Sequence, residues 1–323
     1  MLLIFVLLFA SYSAADLRTL CEAVCALQRA QATLLDFQNG QLDIARLLER
    51  VVGVLGGGLC DGLLFMDVGA NVGDQTGMLG REIPRICGAS RFTALLFEAN
   101  PLVVKHLRES LAHDSRMIVI GKGVTSNDSL ELPFFAPAHD AAYQGGTLSH
   151  IRKTTAYGDG VQKALTSIRC TTLDTEMASL RDDQHVAFLK VDVEGHEHDV
   201  FMGAVGLLQR RRVPVVVYEC HGSFNEQEWA FPANVNFFSS FGFDNWQLAA
   251  NGVLLRLDWP YFSPHMWAAH ENRETNCVAI DRAWQHYDAL LNHPETGLAR
   301  AVLQLQKQHG ETVKQCNCFR QDN

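Results

Sequence analysis

The fold of this chain is decided by residues 64–74, which read Leu-Phe-Met-Asp-Val-Gly-Ala-Asn-Val-Gly-Asp. The apolar start predicts a buried strand, which ends in an acidic residue and leads through a tight loop into a helix. Gly69 and Gly73 let the backbone approach a ligand closely, and the Asp67 carboxylate can accept hydrogen bonds from it. A dinucleotide fingerprint would have glycine where Asn71 stands. The loop therefore suits a nucleoside cofactor that carries an amine.

The composition is that of an ordinary folded protein. The chain has 323 residues, of which 47% are hydrophobic and 20% are charged, enough for one large domain with additions. A net charge of -9 argues against a surface that follows nucleic-acid phosphates. The one basic run, Arg210 to Arg212, lies where a helix should end, and positive charge is favourable there. We therefore expect no nucleic-acid partner.

The first 15 residues are typical of a secretory signal. Residues 1–10 are almost wholly apolar, and the small residues after them suit cleavage behind Ala15. The apolar run is shorter than the ~20 residues that a spanning helix needs. An uncleaved short anchor and an organelle-targeting presequence are the alternatives. A single glycosylation sequon at Asn127 agrees with a secretory route, so we expect the protein in the secretory lumen or outside the cell.

Nine cysteines lie beyond the proposed cleavage point. Because the number is odd, at least one must stay unpaired or pair between chains. Two clusters stand out, Cys21 with Cys25 and Cys316 with Cys318. In an oxidising lumen these clusters could pair with each other and join the N-terminal helix to the C-terminus. Free thiols and a four-thiolate zinc site are the alternatives.

The hydrophobic patterns divide the chain into an N-terminal helical extension, a central domain and a C-terminal extension. The N-terminal extension covers residues 16–60 and contains a helix over about 42–52. The central domain covers residues 61–281, where strand and helix patterns alternate and a parallel sheet is expected. Within it the helical rhythm is lost between about 130 and 174, which indicates an antiparallel insertion. Residues 282–323 form helices and a cysteine-containing tail.

A second buried strand is predicted over residues 92–97, directly before Glu98. Asn100 as the N-cap and Pro101 at the first helical position begin the next helix. A carboxylate at the end of a parallel strand is well placed to accept the hydroxyls of a ribose. Glu98 is therefore the predicted ribose ligand, with a helix-start acid as the alternative interpretation.

Two more predicted strands, over residues 186–191 and 213–218, are followed by the densest group of polar side chains in the sequence. Because the carboxyl ends of parallel strands meet at one edge of a sheet, these side chains should join Asp67 and Glu98 there. The group consists of Asp192, Glu194, His196, Glu219 and His221.

Taken together, these motifs resemble the FkbM-type family of S-adenosylmethionine (SAM)-dependent methyltransferases. The resemblance extends over about residues 63–281. It implies the class I methyltransferase fold, a seven-stranded, mostly parallel sheet with helices on both faces and a reversed final strand. It also implies SAM as the cofactor and, usually, methyl transfer to a hydroxyl oxygen. The motifs that carry it are residues 67–73, 97–101, 171–174 (Thr-Thr-Leu-Asp), 189–197 (Leu-Lys-Val-Asp-Val-Glu-Gly-His-Glu), 200–204, 218–221 and 276–280.

Roles for the cofactor residues follow from this resemblance. We expect six residues to bind SAM, and Asp192 to share the amino-group contact or to contact the acceptor. The six are Asp67 near the amino group, Gly69, Asn71 and Gly73 in the loop beneath the methionine part, Glu98 on the ribose, and Asn100 toward the adenine.

The acceptor is expected to be a hydroxyl of a glycan or of a small hydroxylated metabolite. Glu194, His196 and His221 are the candidates to bind and deprotonate it. An imidazole titrates near working pH, which favours a histidine as the base, although each histidine also has a structural alternative. Asp192 completes the predicted catalytic group.

Two alternatives compete with this interpretation. The same carboxylates and imidazoles could hold a divalent metal ion, which we rank lower because their spacing fits no metal motif. The chain could also be a non-catalytic, secreted binding module, for example for glycans, but such a module has no use for intact acidic and glycine positions. Because SAM is made in the cytosol, a secretory enzyme needs imported cofactor, which favours a Golgi-type lumen over the outside medium.

Overall fold

A computed structural model describes residues 40–56, 60–71, 77–136, 147–148, 163–178, 185–220, 231–249, 252–257 and 276–291. Predictions on other residues lie outside this part, namely the signal, the four clustered cysteines, Gly73 and His221. Among the helices described here, none is long and apolar enough to cross a membrane.

The described chain alternates strands and helices, as the hydrophobic patterns predict. The strands are β1 Leu64–Val68, β2 Thr93–Phe97, β3 Met117–Ile120, β4 Gly123–Val124, β5 Glu131–Ala136, β6 Thr147–Leu148, β7 Lys163–Thr171, β8 Val186–Val191, β9 Val215–Glu219, β10 Phe243–Ala249, β11 Val253–Arg256 and β12 Asn276–Asp281. The helices are α1 Gly40–Gly56, α2 Gly77–Cys87, α3 Pro101–Leu111, α4 Leu173–Glu176, α5 Glu197–Met202, α6 Val205–Gln209, α7 Phe231–Ser240 and α8 Tyr287–Leu291.

The main sheet has the order β11-β10-β12-β9-β8-β1-β2-β3. Strands β3, β2, β1, β8 and β9 are parallel, whereas β12 is antiparallel to both β9 and β10. This open α/β sheet with a reversed last strand is the predicted class I arrangement, which is thereby confirmed. The sheet has eight strands, one more than the predicted seven. The extra strand arises because Ala249 pairs with Val253, so the chain folds back beside β10 as a hairpin.

Side chains of the central strands alternate between two hydrophobic cores, one on each face of the sheet. Phe65 and Phe188 belong to the first core, where Leu47 and Leu48 of α1 pack. The second core contains Met66 together with residues of α5, α6 and α7. Helix α1 includes the helix predicted over residues 42–52 and covers one face of the sheet. The central strands β1 and β8 are thus buried on both sides, and a ligand site is expected at their carboxyl ends.

The antiparallel insertion expected between residues 130 and 174 forms a second sheet with the order β4-β7-β5-β6. Strands β5 and β7 are antiparallel, with Glu131 opposite Arg169. A small core of Leu132, Phe134, Ile168 and Cys170 holds it together. This sheet lies in the chain between β3 and β8, two strands of the main sheet.

Two disulfides lie within the described residues, Cys60–Cys87 and Cys220–Cys277. Cys170 is a buried free thiol. The sequence indicated neither pair, because their partners are 27 and 57 residues apart and connectivity depends on the folded geometry. Cys60–Cys87 joins the start of β1 to the end of α2, and Cys220–Cys277 joins β9 to the reversed strand β12.

Candidate active site

The loop after β1 packs directly on the ends of the two neighbouring strands. Gly69 has a φ of +84°, and a Cβ placed on it would lie 1.7 Å from the carbonyl oxygen of Asp192. The N–H groups of Gly69 and Ala70 both donate to the carbonyl oxygen of Phe97, at 3.0 and 2.9 Å. Only glycine combines this backbone angle with this close approach. The predicted cofactor loop is therefore held against β8 and β2.

A buried carboxylate and a buried ammonium group lie beside this loop, together with a second, half-buried carboxylate. The Nζ atom of Lys190 lies 3.3 Å from Oδ1 of Asp67 and 3.2 Å from Oδ2 of Asp192. Asp67 is 1% exposed and Lys190 is 5% exposed. Asp67 belongs to β1 and Lys190 to the parallel neighbour β8, and Asp192 directly follows β8. The structure thus brings Asp67 and Asp192 together, as predicted, through a lysine that was not predicted as a site residue.

The ionisation of this cluster follows from its burial. Burial raises the pKa of Asp67 from 3.8 to about 6; the Asp192 charge adds to the rise and the Lys190 charge opposes it. For Lys190, burial alone would lower the pKa, but the Asp192 and Asp67 carboxylates outweigh burial and raise it. The lysine is therefore charged, and Asp67 loses its proton within the range of common working pH.

One oxygen of this cluster lacks a donor. Oδ2 of Asp67 is buried and accepts no hydrogen bond from the described residues. A buried polar atom without a partner costs about 1–3 kcal/mol. The α-ammonium group of SAM carries three N–H donors and a positive charge, so Asp67 fits the role predicted for it.

Glu98 connects the loops that follow β1 and β2. Its two carboxylate oxygens accept N–H groups from Asn71 at 2.8 Å and from Asn100 at 2.7 Å. Burial raises the pKa of Glu98, although these backbone N–H groups oppose the rise. A carboxylate can accept about four hydrogen bonds, so capacity remains for ribose hydroxyls. Glu98 thus fits its predicted role and also shapes the site.

Asn100 is the N-cap of α3, as predicted. Its Oδ1 accepts the N–H of Leu102 at 3.0 Å, and Pro101 occupies the first helical position. The side-chain oxygen therefore serves the helix. The side-chain nitrogen is the atom left for the predicted contact with adenine.

The loop after β8 has an unusual backbone. Glu194 and Gly195 have φ values of 56° and 96°, in the left-handed region. The buried carboxylate of Glu197 accepts the N–H groups of Val193 and Gly195, at 3.1 and 3.2 Å. Burial raises the pKa of Glu197, against the effect of these N–H groups. Glu197 thus holds the turn that presents Glu194, a role that sequence reasoning missed.

His196 is buried at the start of α5, with 5% of its surface exposed. Its Nδ1 lies 3.3 Å from Oδ2 of Asp199, whereas Nε2 is buried and makes no hydrogen bond to any residue in the described ranges. If Nδ1 carries the proton and donates to Asp199, Nε2 is left as a proton acceptor. This arrangement suits a base that is held in orientation by a carboxylate.

Strand β9 brings the last predicted group to the same edge. Val191 pairs with Tyr218, so Glu219, the last residue of β9, lies beside Asp192, and Cys220 directly follows the strand. The predicted adjacency of the two strands is confirmed. Cys220 is bonded to Cys277 of β12, which fastens this end of β9.

A metal centre was the lower-ranked alternative for these residues. In the part of the chain that the structure describes, no group of three or more His, Cys, Asp or Glu side chains is placed to hold a metal ion.

An open sheet of this order, with a reversed strand and with carboxylates at the ends of β1, β2 and β8, is the class I methyltransferase fold. The FkbM methyltransferase domain matches residues 67–244, more than half of the chain. The chain belongs to the FkbM methyltransferase family. The prediction made from the motifs is confirmed, and membership in a methyltransferase family supports SAM as the cofactor.

Solved structures with similarity to the chain are distant from it. An FkbM methyltransferase from Methylobacillus flagellatus KT is 14% identical, with a TM-score of 0.40, and the match covers 68% of this chain and 43% of that one. Aeropyrum pernix fibrillarin, crystallised with bound SAM, is 11% identical, with a TM-score of 0.36 and coverage of 73% of both chains. A search of curated protein sequences found no match. The chain thus spans less than half the length of the first of these structures.

Proposed function

We propose that this protein transfers the methyl group of SAM to a hydroxyl oxygen of a glycan or of a small hydroxylated molecule. The observation that carries the proposal is the unpartnered Oδ2 of Asp67, buried beside the glycine loop at the carboxyl edge of the sheet. An isolated carboxylate oxygen in such a place calls for a cationic hydrogen-bond donor. The α-ammonium group of SAM is such a donor.

The protein's own residues divide into two groups. Asp67, Glu98 and the loop from Gly69 bind and orient the cofactor, whose sulfonium supplies an activated methyl group. The acceptor oxygen must then lie in line with that methyl group, with water excluded and its proton removed. The second group, around β8 and β9, carries out these tasks.

His196 is the proposed base. Its Nδ1 faces Asp199, which holds the imidazole in one orientation, and its Nε2 is buried without a hydrogen bond among the described residues. When Nδ1 donates to Asp199, Nε2 is the proton acceptor. Glu194 and His221 are the other candidates, and Asp192 is proposed to contact either the acceptor or the amino group. A histidine is favoured because it accepts and releases a proton near neutral pH.

SAM binding by the full-length protein is the first test. Calorimetry should detect binding to the wild type and at least a tenfold weaker affinity for Asp67→Asn, since a tenfold change in affinity corresponds to about 1.4 kcal/mol. Asp288→Asn, at an exposed position on α8, is the matched control and should bind like the wild type. Wild-type protein that binds glycans but not SAM would establish the binding-module alternative.

Methyl transfer is the second test. Labelled SAM is offered with a panel of glycans and hydroxylated metabolites, and the labelled product is identified by mass spectrometry. Glu194→Gln, His196→Ala and His221→Ala are assayed separately, with SAM affinity measured for each. Full turnover in all three variants would exclude the proposed base. Loss of activity in chelator, with recovery on adding magnesium, would favour the metal alternative.

We also propose that the protein matures in the secretory pathway, in a Golgi-type lumen. The two disulfides among the described residues support this location, because disulfides persist in oxidising compartments. Tagged protein should colocalise with a Golgi marker, and non-reducing peptide mapping should recover both pairs. Cytosolic or mitochondrial protein with four free thiols at these positions would contradict the proposal.

A further inference from the structure

Lys190 is an unusual residue for its position. It lies inside β8, whose other residues are apolar, and it is almost fully buried. A buried lysine is costly unless it is paired, and here its ammonium group contacts two carboxylates, that of Asp192 directly after its own strand and that of Asp67 on β1. The pairing of Lys190 with Asp67 joins residues 123 positions apart in the sequence.

The charges around Asp67 do not balance. Lys190 supplies one positive charge, while Asp67 and Asp192 supply two negative charges. Glu98 is a third carboxyl group nearby, and burial and, to a lesser degree, the Asp67 charge raise its pKa. Among the described residues, Lys190 is the cation that forms ion pairs with Asp67 and Asp192. Without the lysine, two neighbouring carboxylates would lose this counter-ion, and such a pair does not stay fully ionised.

The contact also determines the direction of Asp67. Its Oδ1 is taken by Lys190, so its Oδ2 is the oxygen left for a ligand. The same ammonium group holds Oδ2 of Asp192 on the neighbouring strand. Lys190 therefore orients both carboxylates and is their counter-ion.

We propose that Lys190 is a positioning residue of the cofactor site, whose ammonium group holds Asp67 and Asp192 in place and keeps Asp67 ionised to receive the ammonium group of SAM. The inference rests on the proposed function, because SAM is taken as the ligand. Lys190 acts through the carboxylates and need not touch the cofactor.

The test is the pH dependence of SAM affinity in Lys190→Met, which keeps the length of the side chain and removes its charge. In the wild type, affinity should fall as pH drops through the pKa of Asp67. In Lys190→Met the fall should begin at least one pH unit higher, and affinity near neutral pH should be roughly tenfold weaker than in the wild type. Lys190→Arg keeps the charge and should retain the wild-type profile.

A merely structural role predicts a different result. Loss of packing would weaken SAM binding by the same factor at every pH, and this outcome, or an unchanged affinity, would overturn the proposal. If the wild type does not bind SAM, the proposed function fails. The inference is then judged without ligand, by following the Asp67 carboxyl signal in a pH titration by carbon NMR, with Asp67→Asn to assign it. Its pKa should be higher in Lys190→Met than in the wild type, and an equal pKa contradicts the inference.

Lys190→Met alone leaves the buried Asp67 and the half-buried Asp192 without their counter-ion and could fail to fold. The double variant Lys190→Met with Asp67→Asn removes one of these charges. It should recover melting temperature relative to Lys190→Met if charge is the cause. A double variant as unstable as the single one would show that the lysine acts through packing, against the proposal.

Discussion

Gly69 and the carbonyl group of Asp192 are so close that the ends of β1 and β8 meet with no space for a side chain. A Cβ at position 69 would lie 1.7 Å from that carbonyl oxygen and 2.8 Å from its carbon. The contact is between two backbones, so a rotamer change cannot relieve it. It brings the cofactor loop and the loop of candidate catalytic residues into one site.

Gly69→Ala should therefore separate the two loops. We expect the free energy of unfolding to fall by about 3 kcal/mol or more, because a positive φ and overpacking add together. SAM binding should be lost with it. Gly53→Ala, on an exposed position of α1 with nothing within 4 Å of the new Cβ, should instead stabilise by about 0.5–1 kcal/mol. Urea unfolding of both variants measures these changes in the free energy of unfolding. If Gly69→Ala is as stable as the wild type, the close contact between Gly69 and Asp192 is refuted.

Glu197 should be needed for the turn after β8. Glu197→Ala leaves the N–H groups of Val193 and Gly195 without their acceptor, at a cost of about 2–3 kcal/mol. Activity should fall further than stability explains, because the turn presents Glu194. Glu109→Ala, on an exposed position of α3, is the control and should change neither. Denaturant midpoints and turnover at saturating SAM test this, and a fully active Glu197→Ala would count against it.

Asp174 belongs to the Thr-Thr-Leu-Asp motif, and the structure explains it as a helix cap. Its two oxygens accept the N–H groups of Gly206 and Leu207 at 2.7 and 2.8 Å, at the start of α6. Asp174→Ala should destabilise the protein by about 1–2 kcal/mol, and Asp174→Asn by less, because the amide keeps one acceptor. SAM affinity should be unchanged at temperatures where both variants are folded. Thermal melts and calorimetry separate these effects; weaker SAM binding by folded Asp174→Asn would argue for a role in the site.

Asp67 should make the unliganded protein less stable as pH rises from about 4 to about 6. Its folded pKa is raised, so in this window the folded state holds a proton that the unfolded chain has released, and the free energy of unfolding falls with pH. The change for one group is on the order of 2–3 kcal/mol. Burial also raises the pKa of Glu98 and Glu197, so these two groups likewise lower the free energy of unfolding as pH rises.

The measurement is urea unfolding at several pH values for wild type and Asp67→Asn. The asparagine cannot titrate, so the wild-type curve should fall more steeply between about pH 4 and 6. Carboxylates with a lowered pKa, such as Glu176 beside Lys122, change the free energy of unfolding below pH 4.5, so they do not affect the comparison. Parallel curves for the two proteins in this window would contradict the raised pKa of Asp67.

Much of the fold could be predicted because the central strands are buried on both faces. Their apolar runs end abruptly at Asp67, Glu98 and Asp192, and a break of this kind marks the carboxyl edge of a parallel sheet. The resemblance to a known family added the reversed strand. The extra strand β11 was missed because it is short and because only its pairing with β10 in a hairpin identifies it as a strand.

The site was predicted only in part. Sequence reasoning found residues at strand ends, where position alone suggests a role. It did not find Lys190 or Glu197. In the sequence Lys190 is a polar residue within a strand, and Glu197 is an acid at the start of a helix. The available signal was a lysine in an otherwise apolar strand, which requires a buried counter-ion.

The sequence by itself determined the class of the protein: local hydrophobic runs, glycines and strand-end acids are short-range features that do not depend on how distant segments meet. Only the tertiary structure decided which charged side chains form ion pairs, which cysteines form disulfides and why position 69 must be glycine. Each of these depends on contacts between segments that are far apart in the chain, such as Asp67 with Lys190 and Gly69 with Asp192. Those contacts exist only once β1 and β8 lie side by side.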